Sequence, residues 1–358
     1  GLQSVLSTKN LDVNDFHSAE PPHLPYVFEF QLKPEAASYV PVKERCRYVN
    51  AGIEDNVRQM ILKLLQCGVV YSGYSPWNAQ SVYVRKRVDQ TLEEHLEEGG
   101  TEATFVPGTV SKKTTAIRHC IDYVQLNNLM TTSPLNQEPP LSQLKSISAD
   151  ARYITSLDVT SMYYTLKISK ASSTYTGFNS GLKDIALNNL LYNCSPMGAA
   201  NSVIFQNCAL THSLAGIDRV KLWADNIILH DCNEQEHIMR IGKVLQALKN
   251  HGLKIKLSKA VLCAQDKLAV YGFTLSIREM KIYPNSDKLK ALKTKEKPNS
   301  VKELKSLLGS LGFFRSFTPC IQKSLTILSE MTRKNRFIWT DVTIKAYEDV
   351  QILLSHPH

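Results

Sequence analysis

The 358-residue sequence predicts an α/β (α+β) domain followed by a small, basic, helical segment. Three observations carry that expectation. Strand-like runs at Arg152–Val159 (RYITSLDV), Val220–Leu229 (VKLWADNIIL) and Lys267–Ser276 alternate with helical periodicities, the order expected of a sheet with helices packed on it. Past Pro284 the texture changes to short lysine-rich helices. Hydrophobic residues make up 43% and charged residues 21%, a globular balance that excludes disorder over most of the chain. The length suggests two or three domains.

In chain order, residues 1–50 carry Pro21, Pro22, Pro25, Pro34 and Pro41 and read as an extended N-terminal arm. Val57, Ile61, Leu64 and Leu65 then repeat at helical spacing until Gly68. Strands at Gln80–Arg87 and Ala116–Tyr123 flank a stretch with Asp89, Glu93, Glu94, Glu97, Glu98 and Glu102 and no lysine or arginine, which reads as a long loop. A helix is expected over residues 199–215, between the first two of the three strand runs. Asn233 caps the next helix, Ile238, Ile241, Leu245 and Leu248 form its apolar face, and Gly252 stops it. After strands at Lys267–Ser276 and Lys281–Tyr283, Ser300 and Glu303 have capping-box spacing ahead of Leu304, Leu307, Leu308 and Leu311.

Lysine plus arginine exceed aspartate plus glutamate by 42 − 33 = +9, unevenly. From Lys281 to Arg336 there are thirteen basic and four acidic residues. Such a segment suits a polyanion, whose phosphates release counterions when neutralised; a solvated surface on a basic protein reads the same from charge alone. The eight cysteines contain no C-x-x-C pair, so a structural zinc is not expected, and they read as reduced, mostly buried side chains. No apolar run reaches membrane-spanning length, and the N-terminus has no secretory pattern. No membrane partner is expected, and the expected location is the cytoplasm or nucleus.

Asp158 ends one strand and Asp225 sits in a tight turn within another. On adjacent strands, two such carboxylates can share divalent cations, which at about 4 Å apart promote phosphoryl transfer. An aspartate at a strand end is more commonly a turn residue.

The words around the aspartates resemble the reverse transcriptases of LTR retroelements, the gypsy-like retrotransposons and their retroviral relatives. VYSGYSPWNAQSVYVRKR (70–87) resembles the family's fingers segment, and IRHCIDYVQLNN (117–128) its R-x-x-x-D-[FY]-R-x-L-N pattern. SLDVTSMYYTLKI (156–168) resembles the first aspartate motif, and SPMGAANSVIFQ (195–206) the L-P-x-G-x-x-[NG]-[SA]-P-x-x-F-Q motif. LWADNIIL (222–229) occupies the place of [FY]-x-D-D, and VYGFTLS (270–276) that of a later palm motif. VKELKSLLGSLGFFRSFTPCIQKS (301–324) resembles the thumb, and FIWTD (337–341) the segment after the thumb.

The resemblance implies a right-hand polymerase fold. It would have fingers at 51–150 with an acidic insertion at about 88–113, and a palm at 151–284 with a fingers-like portion at about 168–192. A helical thumb at 285–335 and the start of a connection at 336–358 would come next, without an RNase H domain. It implies that Asp158, Asp225 and the Val159 carbonyl hold Mg²⁺ or Mn²⁺, with Asn226 beside them in the catalytic motif. Lys86, Arg118, Tyr163, Met197, Gly198 and Lys259 would bind nucleotide, Lys259 giving a proton to pyrophosphate. Tyr271, Gly272, Lys302 and Lys305 would hold primer and template. Lys86 and Lys259 equally suit solvated charge, and Tyr163 a core aromatic.

The departures are as informative. Asn226 replaces a carboxylate with an uncharged amide; Met162 stands where relatives keep a small residue beside the sugar pocket; Val124 replaces an arginine; Trp223 is bulkier than the usual Tyr or Phe; and Val203 stands at the proline of its motif. The expected function is a reverse-transcriptase-like protein that binds an RNA/DNA primer-template with polymerase activity lost or strongly reduced, as a scaffold, a homodimer or the non-catalytic partner of a catalytic subunit. The alternative is an active RNA-directed DNA polymerase using two cations at Asp158 and Asp225.

Overall fold

The structure, a computed structural model, describes residues 24–38, 41, 43–85, 117–133, 137–147, 149–285, 289–290, 292, 296–312, 314–318, 320–333 and 337–355. Lys86 and the acidic stretch 89–102 lie outside the described residues. The chain forms two compact units. The first holds residues up to Gln137, Leu157–Leu229 and Ile238–Ala260; the second holds Glu138–Ser156, His230–His237 and Val261 onward.

In the first unit the described part of the N-terminal arm includes a 3-10 turn at Pro34–Ser38 and sends Phe28 and Phe30 into the core. Strand β1 (Val27–Phe28) pairs in parallel with a later strand, and Phe28 and Phe30 are buried. Helix α1 (Glu54–Gln66) follows, with acidic Glu54 and Asp55 in its first turn and buried Val57, Ile61 and Leu64 on one face. Gly68 ends it at φ +66°, a left-handed conformation that glycine adopts without strain. Strands β2 (Val70–Ser72), β3 (Ala79–Arg85) and β4 (Ile117–Asp122) come next, then the short helix α2 (Val124–Leu129). Strand β5 (Tyr153–Asp158) passes from the second unit into the first. Beyond it lie β6 (Lys167–Ile168), which pairs with β1, β7 (Phe178–Asn179) and β8 (Leu190–Tyr192). A five-stranded sheet results, in the order β2-β8-β7-β3-β4, with the α1 face, Phe28, Ile121, Phe178 and Tyr192 in its core.

Helix α3 (Ser202–Ser213) is shorter than the sequence suggests. The run expected over 220–229, with Asp225 in a tight turn within it, is a hairpin, β9 (Val220–Trp223) and β10 (Asn226–Asp231), in which Ala224 turns the chain at φ +52°. Helix α4 (Glu234–Asn250) begins where expected: Asn233 Oδ1 accepts from the N–H groups of Gln235 (2.9 Å) and Glu236 (3.2 Å).

In the second unit β11 (Val261–Ala264) pairs with β5, Val261 opposite Ser156. A buried relay ties this region together. The Cys263 N–H donates to Thr155 Oγ1 (3.0 Å), Thr155 pairs with His237 Nε2 (2.8 Å), and His237 Nδ1 pairs with Asp231 (2.8 Å). The Asp231 and His237 side chains are wholly buried, so the pairing satisfies groups that would be costly alone. The single strand expected over 267–276 is again a hairpin, β12 (Lys267–Val270) and β13 (Phe273–Ser276), which β14 (Lys281–Pro284) extends antiparallel. Helices α5 (Val301–Gly312), α6 (Ile321–Glu330) and α7 (Asp341–Ser355) share a core of Leu304, Leu307, Leu311, Ile321, Leu325 and Val350. At the start of α5, Ser300 Oγ accepts from the Glu303 N–H, while the Glu303 carboxylate reaches one residue further back than a capping box, to the Asn299 N–H.

The cysteines correct the expectation of burial. Only Cys194 is buried, while Cys46, Cys208, Cys232 and Cys320 are exposed; all eight are free thiols, and with no bridge to form their burial is set by local packing. Among the described residues no helix is long and apolar enough to cross a membrane.

His119 makes a testable statement about the first unit's core. Its ring stacks between Tyr83 and Tyr192, Nδ1 pairs with the Tyr192 hydroxyl (2.8 Å), and Nε2 pairs with Ser81 Oγ (3.2 Å). Burial pushes its pKa down to about 3 from 6.5. From pH 6.5 downward the unfolded chain takes up a proton that the folded chain refuses until about pH 3. Stability is therefore full above pH 6.5 and falls below it, by up to about 1.4 kcal/mol per pH unit for this one proton. Urea denaturation at pH 7 and pH 5 should show wild type losing more stability than His119→Gln; equal losses would contradict the assignment.

Candidate metal and nucleotide site

The site is built on backbone ties in the first unit. The Val159 N–H donates to the Asp225 carbonyl (2.7 Å), which sets the end of β5 beside the β9–β10 turn. On the other side the Lys256 N–H donates to the Asp158 carbonyl (2.8 Å) and the Thr160 N–H to the Lys254 carbonyl (2.7 Å). These bonds run the segment 254–259 alongside Asp158, and Lys259 Nζ reaches Asp158 Oδ2 at 3.0 Å. The Asp158 side chain is only 14% exposed, whereas that of Lys259 is 56% exposed.

Burial first, and then the charge of Asp158, raise the pKa of the Asp225 carboxyl. Lys259 and the Asn226 amide pull the other way. Asn226 Nδ2 donates to Asp225 Oδ1 at 3.1 Å, so the residue standing for a carboxylate acts as a hydrogen-bond donor to its neighbour. Two carboxylates with a carbonyl between them in sequence, at Val159, are hard oxygen donors that fit Mg²⁺ or Mn²⁺. No third acidic ligand joins them: among the described residues no group of three or more His, Cys, Asp or Glu is placed to hold a metal.

Tyr163 and Arg118 share this unit. Burial, followed by the charge of Asp225, raises the pKa of the Tyr163 hydroxyl, and Arg118 opposes the shift, so all three groups lie within electrostatic reach. Arg118 is exposed on β4, on the face opposite buried His119. Met197 is half-buried and Gly198 exposed. Met162 is 2% exposed and packed inward, with its Sδ accepting from Thr165 Oγ1 at 3.6 Å. Val124 is exposed, so the missing arginine is a surface charge lost.

The second unit carries the other sequence candidates. Tyr271 (φ +55°) and Gly272 (φ +82°) form the two-residue turn of the β12–β13 hairpin. Lys302 and Lys305 are exposed one turn apart on α5, away from its buried leucines.

Two amides have little or no signal in the sequence. Asn127 Oδ1 accepts from the Ala200 N–H (2.8 Å) and its Nδ2 donates to the Gly198 carbonyl (2.9 Å), fixing the loop before α3. Gln137 Nε2 donates to the Leu222 carbonyl (2.5 Å) while its Oε1 accepts from Asn207 Nδ2 (3.0 Å), fixing the strand that leads to Asp225. The L-N pair in the 117–128 motif is the only pointer to Asn127, and none exists for Gln137.

Gly198 has φ +95°, and an added Cβ would stand 2.9 Å from the Ile121 carbonyl of β4. Gly198→Ala should therefore cost on the order of 1–3 kcal/mol in urea denaturation, since strain and crowding act together; an unchanged midpoint would show that the loop has room.

Comparison with known proteins places the chain among relatives of one fold. A family described as reverse transcriptase (RNA-dependent DNA polymerase) matches residues 110–275. The Transposon Tf2-7 and Tf2-3 polyproteins of Schizosaccharomyces pombe are each 28% identical over 257 residues, 71% of this chain. The chain spans only 18% of the length of those polyproteins. Among solved structures, the foamy viral protease-reverse transcriptase dRH in complex with dsDNA matches with a TM-score of 0.74 and 20% identity, over 95% of this chain and 54% of that one. The foamy viral protease-reverse transcriptase in complex with an RNA/DNA hybrid matches with a TM-score of 0.70 and 20% identity, over 94% and 41%. With a right-hand polymerase fold and its motifs in family order, the chain is a reverse-transcriptase-like protein of LTR-retroelement origin.

Proposed function

We propose that this chain grips primer-template nucleic acid with a reverse-transcriptase fold while polymerising nucleotides far more slowly than a three-carboxylate relative, or not at all. The observation that carries the reading is Asn226, whose amide hydrogen-bonds to Asp225 instead of adding a carboxylate. On this reading residues 51–150 are fingers, 151–284 palm and 285–335 thumb, and the chain serves as scaffold or as the non-catalytic partner of a catalytic copy. The chemistry that divalent cations would supply at Asp158, Asp225 and the Val159 carbonyl is charge stabilisation of phosphoryl transfer. This chain's own residues would position the substrate: Arg118 is a guanidinium suited to phosphate oxygens, and Tyr163 stands within reach of Asp225.

The active-polymerase reading draws on the same centre, because Asp158, Asp225, Arg118 and Tyr163 are all retained. Primer extension on an RNA template, with Mg²⁺ and then Mn²⁺, separates the two. Asn226→Asp should extend the primer at least about 10²-fold faster than wild type, as restored charge at a metal centre is worth several kcal/mol. Equal, measurable rates in the two proteins would overturn the reading in favour of a working polymerase, whereas silence in both would place the loss at more than Asn226.

Nucleic-acid grip is tested separately. Affinity for an RNA/DNA hybrid should fall at least tenfold from about 50 to 200 mM salt. Lys302→Ala with Lys305→Ala should flatten the log–log salt slope by about two. Salt-independent affinity would remove the nucleic-acid reading altogether.

A further inference from the structure

Lys259 is the one cationic side chain bonded to the carboxylate pair among the described hydrogen bonds and ion pairs, and its placement is built rather than incidental. The bonds from Lys256 N–H to the Asp158 carbonyl and from Thr160 N–H to the Lys254 carbonyl fix the backbone three and five residues before it. Its ammonium then sits 3.0 Å from Asp158 Oδ2, on the less exposed partner of the pair. Across the turn, Asn226 Nδ2 donates to Asp225 Oδ1 at 3.1 Å. Each carboxylate thus has a donor supplied by the chain. Three carboxylates with a lysine would carry two negative charges, whereas Asp158, Asp225 and Lys259 together carry one.

We infer that Lys259 is a resident cation that competes with divalent metal for Asp158. The inference rests on the reading of Asp158 and Asp225 as the metal-binding pair. A divalent ion binds carboxylate oxygen at about 2.0–2.1 Å. An ammonium bonded to that same oxygen would stand close beside it, and two cations at that separation repel strongly in a partly buried site. Metal entry therefore requires the Lys259 side chain to leave Asp158. Its exposure allows the movement, and the loss of its ion pair weakens metal binding without abolishing it. The centre is neutralised from within until enough metal is present to displace the lysine. This role differs from proton donation to a leaving group, because it operates with no nucleotide bound.

The test is a titration of Mn²⁺ alone, read by loss of the free-Mn²⁺ electron paramagnetic resonance signal, with no nucleic acid or nucleotide present. Lys259→Met removes the charge and keeps the stem, and its exposed position makes misfolding a minor concern that circular dichroism checks. Lys259→Met should bind Mn²⁺ about five- to tenfold more tightly than wild type. Lys259→Arg, which keeps the charge, should stay within about twofold of wild type, and adding Asp158→Asn to Lys259→Met should erase the gain. Binding by Lys259→Met that is absent, no tighter than wild type, or indifferent to Asp158→Asn would overturn the inference. Primer extension by wild type as fast as by Asn226→Asp would overturn the proposed function while leaving this Mn²⁺ result standing, so the two failures are distinguishable.

Discussion

Asp158 and Asp225 are like charges brought to one place by backbone hydrogen bonds that side chains cannot relax. The Val159 N–H on the Asp225 carbonyl and the Lys256 N–H on the Asp158 carbonyl are part of the pairing of these strands and segments, so the fold imposes the repulsion. Something positive must meet it. In the family pattern the answer is divalent metal held by a third carboxylate. Here that third group is the Asn226 amide, and Lys259 supplies the positive charge. The rest of the first unit follows from keeping the pair in place.

That support comes largely from amides and from a buried imidazole rather than from hydrophobic contact alone. Asn127 pins the Gly198 loop against the sheet that carries Arg118, and Gln137 pins the strand entering the Asp225 turn. His119, neutral and stacked between two tyrosines, sets the inner face of β4, so that the alternate residue, Arg118, faces out. A chain under no demand to hold the site could replace these polar ties with simpler packing. Their presence fits a protein whose pocket geometry still matters even where its charge has changed.

Much of this is legible in the sequence because its signals are local. Asn233 and Gly252 mark the ends of α4, Asp158 ends its strand, and the aspartate motif places Asp225 in a turn. One hairpin is hidden inside a run expected as a single strand, Lys267–Ser276. Tyr271 adopts a left-handed conformation that its residue type does not advertise, so apolar continuity masks the turn. The burial of Phe28 and Phe30 in the arm has no local signal, because it depends on distant strands. The pairing of Lys259 with Asp158, 101 residues apart in sequence, has no local signal at all. Nor does the Gln137 tie, which spans 85 residues.

On the proposed reading the grip on nucleic acid is kept while the metal centre is neutralised, so the two should be separable. The most direct measurement is RNA/DNA-hybrid affinity at fixed salt for wild type and for a variant carrying both Asp158→Asn and Asp225→Asn. The account predicts affinities within about twofold of one another, as expected when binding energy comes from phosphate contacts made elsewhere. A tenfold or greater loss in the variant, or wild-type binding that disappears when divalent ions are chelated, would contradict it and return the carboxylate pair to the heart of the protein's function.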